Sequence, residues 1–314
     1  MINPLEKFNI SSEYISEGGR VILPSNEGRI LLLDGDPLCY VAVAKAAKLD
    51  TAIRRFEQDI LEKMYLTKAT SVRMHLTPRG SAKNGRLQLK TAKPYQGNRI
   101  GVTKSPLLEP LRSGAINHLR HNKLITVLPQ YELEADDGLV IDSYAIPNSV
   151  LCSVDKDLNL TPFEDYSITE GKFRKLPDGD TFGYIKRIHW YTDSGNARSK
   201  VSGKGTKFFF TQLLMGDTAD NIQGIAKVDG KLCGSASAFK YLEDFEDESE
   251  CADWVIKQYK RIHQNIIPEA EALWMLRTID DSAYKYLMSL DITAESASYL
   301  KDCYSKDWRE VNEL

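Results

Sequence analysis

Two short apolar runs in this 314-residue chain end directly in acids. Arg29-Ile30-Leu31-Leu32-Leu33 runs into Asp34-Gly35-Asp36-Pro37, and Ser149-Val150-Leu151-Cys152-Ser153-Val154 runs into Asp155-Lys156-Asp157. Runs this apolar and this short suit strands buried on both faces of a parallel sheet. Parallel strands need long crossovers, and an open α/β sheet gathers its ligands at the carboxyl ends of its strands. The acids therefore stand where such a sheet places a site. The intervening chain agrees: residues 38–66 read as one long helix or two abutting ones, 71–77 alternate as a strand, 106–122 read as a helix and 124–128 as a strand. The predicted class is α/β, a mainly parallel central sheet with helices on both faces.

A third acidic stretch, Glu134-Ala135-Asp136-Asp137, precedes an apolar pattern (Leu139, Val140, Ile141, Tyr144, Ala145) that predicts a helix beginning near Glu134. Acids suit any helix start, so this stretch decides little alone. A fourth, Asp217 with Asp220, follows an apolar run at 207–215 that predicts a buried helix. Together these places concentrate up to nine carboxylates, counting Asp36. Such a concentration calls for positive charge, and two divalent ions are the arrangement that clamps the oxygens of a phosphodiester under hydrolysis. No matching set of histidines accompanies the acids, which points to Mg2+ or Mn2+ rather than zinc.

The net charge of −3 is uninformative, but its distribution is not. Residues 63–108 hold ten Lys or Arg and no acid, whereas 243–250 hold six acids in eight positions. A positive face of this kind meets a polyanion. The segment 78–106 has little apolar periodicity and is expected to contribute little to a core. Five scattered cysteines, without metal spacing, exclude a zinc finger and a disulfide framework. With no signal-peptide pattern and no long apolar run, the expectation is a cytoplasmic protein. Residues 1–28 read as an N-terminal extension, and 166–191 as edge strands or a hairpin. Helical patterns recur at 235–242, 254–262, 269–279 and 283–288.

The order "LLLDGD", "EADD", "SVDKDL", "LMGDTADNIQGI" resembles the 5'-nuclease family: flap endonucleases, the 5'-nuclease domain of bacterial DNA polymerase I and phage 5'-3' exonucleases. The resemblance implies a PIN/5'-nuclease-like core at 29–206, a helix-three-turn-helix element at 207–243 and C-terminal helices at 244–314. It implies one metal site from Asp34, Glu134, Asp136 and Asp155, and a second from Asp137, Asp157, Asp217 and Asp220. Asp36 stands where many relatives have Ser or Asn, and Thr77 where they often have an aspartate. The acid-free block occupies the place of the family's basic arch or gateway, with Lys83 and Lys104 as DNA contacts. Lys93-Pro94-Tyr95-Gln96-Gly97-Asn98-Arg99 is similar to the family's Tyr-Lys-x-x-Arg pattern, but Gln96 replaces the lysine that contacts the scissile phosphate. A helix here would align Arg86, Lys90 and Lys93 as substitutes, alongside Arg99. Gly224, Gly234 and Ser235 match the helix-three-turn-helix element, where free backbone amides meet duplex phosphate and K+ is commonly bound. The implied partner is DNA with a 5' single-stranded end or flap beside duplex, in DNA replication.

Two other readings compete. "LLLDGD" with "GDTADN" also resembles haloacid dehalogenase-like phosphatases, in which the first aspartate is a nucleophile, but that leaves "EADD", "DKD" and the basic block unexplained. A catalytically weak DNA-binding relative would not need every acid at a metal position.

Overall fold

The protein is described by a computed structural model over residues 26–44 and 46–310. Residues 1–25 of the predicted extension lie outside the described residues. Strand β1 (Ile30–Asp34) is followed by α1 (Gly35–Ala44) and α2 (Leu49–Thr67), the two abutting helices. Then come β2 (Ser71–Leu76), the short helices α3 (Leu108–Ser113) and α4 (Ala115–Leu119), β3 (Ile125–Pro129), α5 (Ala135–Ala145) and β4 (Ser149–Cys152). The predicted helix at 106–122 is broken in two at Gly114, where a Cβ would stand 2.9 Å from the Pro110 carbonyl oxygen. Strands β5 (Asp165–Ser167) and β6 (Lys172–Arg174) complete a sheet ordered β3-β2-β1-β4-β5-β6, parallel except for β6.

That order reverses direction between β1 and β4, and the crevice at such a switch point is where open α/β sheets bind ligands. Alternation along β1 splits the core in two. Leu31 and Leu33 face α1–α4, while Leu32 packs in a cluster with Leu139 and Val140 of α5 and with the C-terminal helices. Helices thus cover both faces, as the sequence implied. Gly138 lets α5 lie directly on β2, because a Cβ there would come within 2.3 Å of His75 Nδ1.

A separate hairpin of β7 (Tyr184–Tyr191) and β8 (Ala197–Lys204) leads into α6 (Thr206–Met215), a helix buried along nearly its whole length. Helices α7 (Ser235–Leu242), α8 (Glu248–Arg261), α9 (Ile267–Leu273), α10 (Ala283–Ser289) and α11 (Ala294–Ser305) share its core. Helix α9 stops well short of the predicted 279, and α11, capped by Thr293, has no counterpart in the sequence reading.

The basic segment 78–106 departs from expectation. It is irregular, but Ser81, Arg86, Leu89 and Tyr95 are buried in it. The helix that would have aligned Arg86, Lys90 and Lys93 does not form: Lys83, Asn84 and Gly85 adopt positive φ, leaving only a short 3-10 turn at Lys83–Gln88.

Candidate metal centre

Four separate stretches of chain deliver carboxylates to the mouth of the crevice. Asp34 ends β1, and its oxygens accept from Ser153 Oγ at 2.7 Å and the Asp36 amide at 3.2 Å. Asp136 stands in the first turn of α5, half-buried. Asp155 and Asp157 follow β4, with the Asp157 amide donating to Asp155 at 3.0 Å and Gln212 Nε2 of α6 donating to Asp157 at 2.6 Å. Asp217 and Asp220 follow α6, and Asp157, Asp217 and Asp220 bring one oxygen each within 4.8 Å of one another. Glu134, the N-cap of α5, completes the group.

Electrostatics tie these positions together. Burial, then the charges of Asp36 and Asp155, push Asp34 up to about 7. Burial also raises Asp157 to about 7; Lys156 opposes this, while Asp155 and Asp217 add to it. Asp136 is held well above the usual carboxylate range by burial and by the fields of Asp34, Asp155, Glu134 and Asp157. Burial raises Asp220 as well, against the pull of Arg99. The carboxylates outnumber the cations that reach them, chiefly Lys156, Arg99 and Lys83. An all-oxygen set with that surplus of negative charge fits hard divalent cations.

The cations fall differently from the prediction. Lys156 Nζ bridges Asp217 at 2.5 Å and Asp157 at 3.2 Å. Arg99 donates to Asp220 at 2.6 Å. Lys83 reaches Glu134 at 3.1 Å and the Gln96 side-chain oxygen at 2.6 Å. Gln96, itself at positive φ, donates through Nε2 to Asp220 at 2.9 Å and Glu134 at 3.3 Å. At the position where a lysine was missing, an amide thus holds the lysine of another loop. The sequence marks Lys83 only as a DNA contact; the signal nearest to its actual place is the run Lys83-Asn84-Gly85, whose turn residues allow the positive φ that aims it.

Several predicted site residues take other roles. Arg86 is 1% exposed and grips Asp137 in a bidentate pair at 2.6 and 2.7 Å, with further bonds to Glu134 and the Trp274 carbonyl. Burial disfavours its charge, but Asp137 more than offsets that and holds the guanidinium firmly protonated. Asp137 is likewise fully buried, accepts also from the Leu276 and Glu134 amides, and forms a reciprocal cap with Glu134. Both its oxygens are already taken inside the core, so Asp137 and Arg86 form a buried structural pair rather than part of the crevice. Tyr95 is buried beneath Glu134, to which its hydroxyl donates at 2.7 Å, and offers no exposed ring to a base. Lys90 pairs with Asp307, and Lys93 and Lys104 are exposed and do not bond to the cluster. The Gly224 amide, expected to meet phosphate, is buried against Gly216 and donates to Glu269 at 3.4 Å. Gly234 and Ser235 remain accessible at the start of α7. Asp36 is held by Arg112 at 3.0 Å and the Thr77 amide at 3.2 Å.

No family model and no curated protein matches the sequence. Solved structures do match the fold. A structure of the bacteriophage T5 5'-exonuclease with bound zinc is similar with a TM-score of 0.55 at 16% identity, covering 88% of this chain and 98% of that one. A structure of the T5 D15 protein co-crystallised with metal ions gives 0.51 at 16% identity over the same shares. A T5 D15 flap endonuclease complex with DNA and metal ions gives 0.50 at 15% identity, again over 88% and 98%. At these identities the likeness is one of architecture, and the architecture is unambiguous: this chain has the 5'-nuclease fold.

Proposed function

We propose that this protein is a divalent-metal-dependent nuclease that hydrolyses DNA phosphodiester bonds at 5' ends or 5' flaps. The observation that carries the reading is convergence: carboxylates from the end of β1, the start of α5, the turn after β4 and the turn after α6 share one crevice at the sheet's switch point. Asp34, Asp136, Asp155, Asp157, Asp217 and Asp220 would hold Mg2+ or Mn2+, with Glu134 beside them. Ions bound there supply Lewis-acid stabilisation of the phosphate and a more acidic water. The chain's own residues do the rest. Lys83 brings a positive charge to the rim of the crevice, where charge develops on the phosphate, and Gln96 fixes its position. Arg99, half exposed, offers a second cation at the same rim. Lys93 and Lys104 are free to meet the backbone of an unpaired strand, and the exposed start of α7 at Gly234 and Ser235 meets duplex phosphate without reading bases.

The phosphatase reading gains nothing from the site. It needs a mobile acid two residues after the nucleophile, and Asp36 is tied down by Arg112 and Thr77. The test is a labelled 5'-flap substrate with and without Mg2+, beside a small phosphate ester. Metal-dependent release of the flap is the expected outcome. Turnover of the ester with intact DNA would overturn the proposal.

A further inference from the structure

The hairpin β7–β8 takes no part in the crevice, yet its composition is unusual. Between Tyr184 and Lys204 stand five Lys or Arg and one acid, Asp193. Residues opposed across an antiparallel pair share a face. The register places Lys186 opposite Ser202, Ile188 opposite Lys200 and Trp190 opposite Arg198 on one face. On the other face, Val201 is buried and Gly203 abuts Phe208 of α6, so that face anchors the ribbon at its base. Lys204 is neutralised by Asp165 and Lys186 approaches Glu170 at 3.4 Å, but Arg198 and Lys200 make no ion pair among the described residues. Trp190, directly opposite Arg198, is 42% exposed, and Tyr191 at the tip is 76% exposed.

Tyr184, Trp190 and Tyr191 together make an exposed aromatic patch on one hairpin, and such a patch marks an interaction site. We propose that the face carrying Lys186, Trp190, Arg198 and Lys200 binds single-stranded nucleic acid, Trp190 stacking on a base while Arg198 and Lys200 hold the flanking phosphates. Two features favour this polymer over a protein partner. A protein-binding face would carry both signs of charge or be chiefly apolar, whereas this one sets Lys186, Arg198 and Lys200 beside two exposed aromatic rings, Trp190 and Tyr184, the combination that grips a strand without reading its sequence. Arg198 and Lys200, two apart on a strand, stand about 7 Å apart, on the order of the separation of neighbouring phosphates in an extended strand. The hairpin joins α6 directly: the strand from Arg198 to Lys204 adds about 23 Å to the roughly 15 Å of α6 before Asp217, so an unpaired strand spanning about 40 Å or more can touch both the ribbon and the crevice. The identity of the polymer as DNA rests on the proposed nuclease function; its binding here does not.

The test uses the full chain in EDTA, so that nothing is cleaved, and fluorescence anisotropy of a labelled oligothymidylate of about 16 nucleotides beside a blunt duplex. Trp190→Ala is expected to weaken oligothymidylate binding by roughly 5- to 150-fold, the range for losing one stacked base. Trp190→Phe, which keeps a stacking face, should restore most of it. Arg198→Glu with Lys200→Glu should weaken binding at least tenfold and flatten its salt dependence, the logarithmic slope falling by about 1.4 for two lost phosphate contacts on a single strand. Unchanged oligothymidylate affinity in both variants overturns the proposal, as does an equal loss on the duplex. Failure of the nuclease reading would appear elsewhere, as absence of metal-dependent cleavage by the unaltered chain.

Discussion

Asp136 and Asp137 are neighbours in the first turn of one helix, and the molecule uses them in opposite ways. Asp137 is wholly buried, with a guanidinium gripping both oxygens and two backbone amides donating to them. Asp136 is half-buried, makes no hydrogen bond among the described residues, and faces four other carboxylates. Consecutive side chains on a helix diverge by about 100°, so one points into the core beside Arg86 and the other into the crevice. A run of acids is therefore not one feature. Each carboxylate is defined by the cation it can reach, and the crevice is the place where the chain supplies too few.

Substitution at the two positions should separate these roles. Asp136→Asn is expected to lower metal-dependent cleavage on the order of a thousand-fold, because a charged ligand is lost, while thermal unfolding without metal stays put or rises by about 2 °C as repulsion is relieved. Flap cleavage and a melting curve measure the two effects. A large loss of stability there would erase the distinction. Arg86→Met should do the reverse, costing about 3–5 kcal/mol of stability by leaving Asp137 and Glu134 buried without their partner. Denaturant unfolding checks it, and the double variant Arg86→Met with Asp137→Leu should recover much of the loss.

The same contrast explains what was legible in the sequence. The sheet was readable, because strands buried on both faces must be continuously apolar and their ends announce themselves in Asp34 and Asp155. The convergence of four acidic stretches followed from the topology that those strands imply. Which cation serves which carboxylate was not readable. Arg86, Lys90 and Lys93 are spaced for a helix, but Lys83, Asn84 and Gly85 turn the chain with positive φ and bury Arg86. Charge counting cannot distinguish a lysine facing solvent from one aimed at a pocket 51 residues away, as Lys83 is toward Glu134. Helix α11 escaped because its apolar face is thin, although the Thr293 cap was there to find.

Lys83 sharpens the comparison from the side of the cations. Held by Gln96 and Glu134 at the rim, it should act on charge that develops during the reaction more than on binding. Lys83→Ala is expected to slow single-turnover cleavage about 100-fold with less than a threefold change in substrate affinity. Equal losses in rate and affinity would make it a simple phosphate contact. Gln96→Ala, which frees the ammonium without removing it, should fall between the two.

Lys156 predicts the smallest effect and the opposite sign. Its ammonium bonds to Asp157 and Asp217, two of the three carboxylates whose oxygens lie within 4.8 Å of one another, and an ammonium competes with a divalent ion for the same lone pairs. Burial disfavours its charge, yet Asp157 and Asp217 more than compensate and stabilise the protonated form. The side chain is 40% exposed, however, so the pairing contributes no more than about 1 kcal/mol, a factor of about five in an equilibrium constant. Lys156→Ala is thus expected to tighten Mn2+ binding by up to about fivefold in calorimetry, whereas Lys83→Ala leaves it nearly unchanged. If affinity for the ion falls instead, the lysine holds Asp157 and Asp217 in place for the metal, and the surplus of negative charge in the crevice is smaller than the count of carboxylates implies.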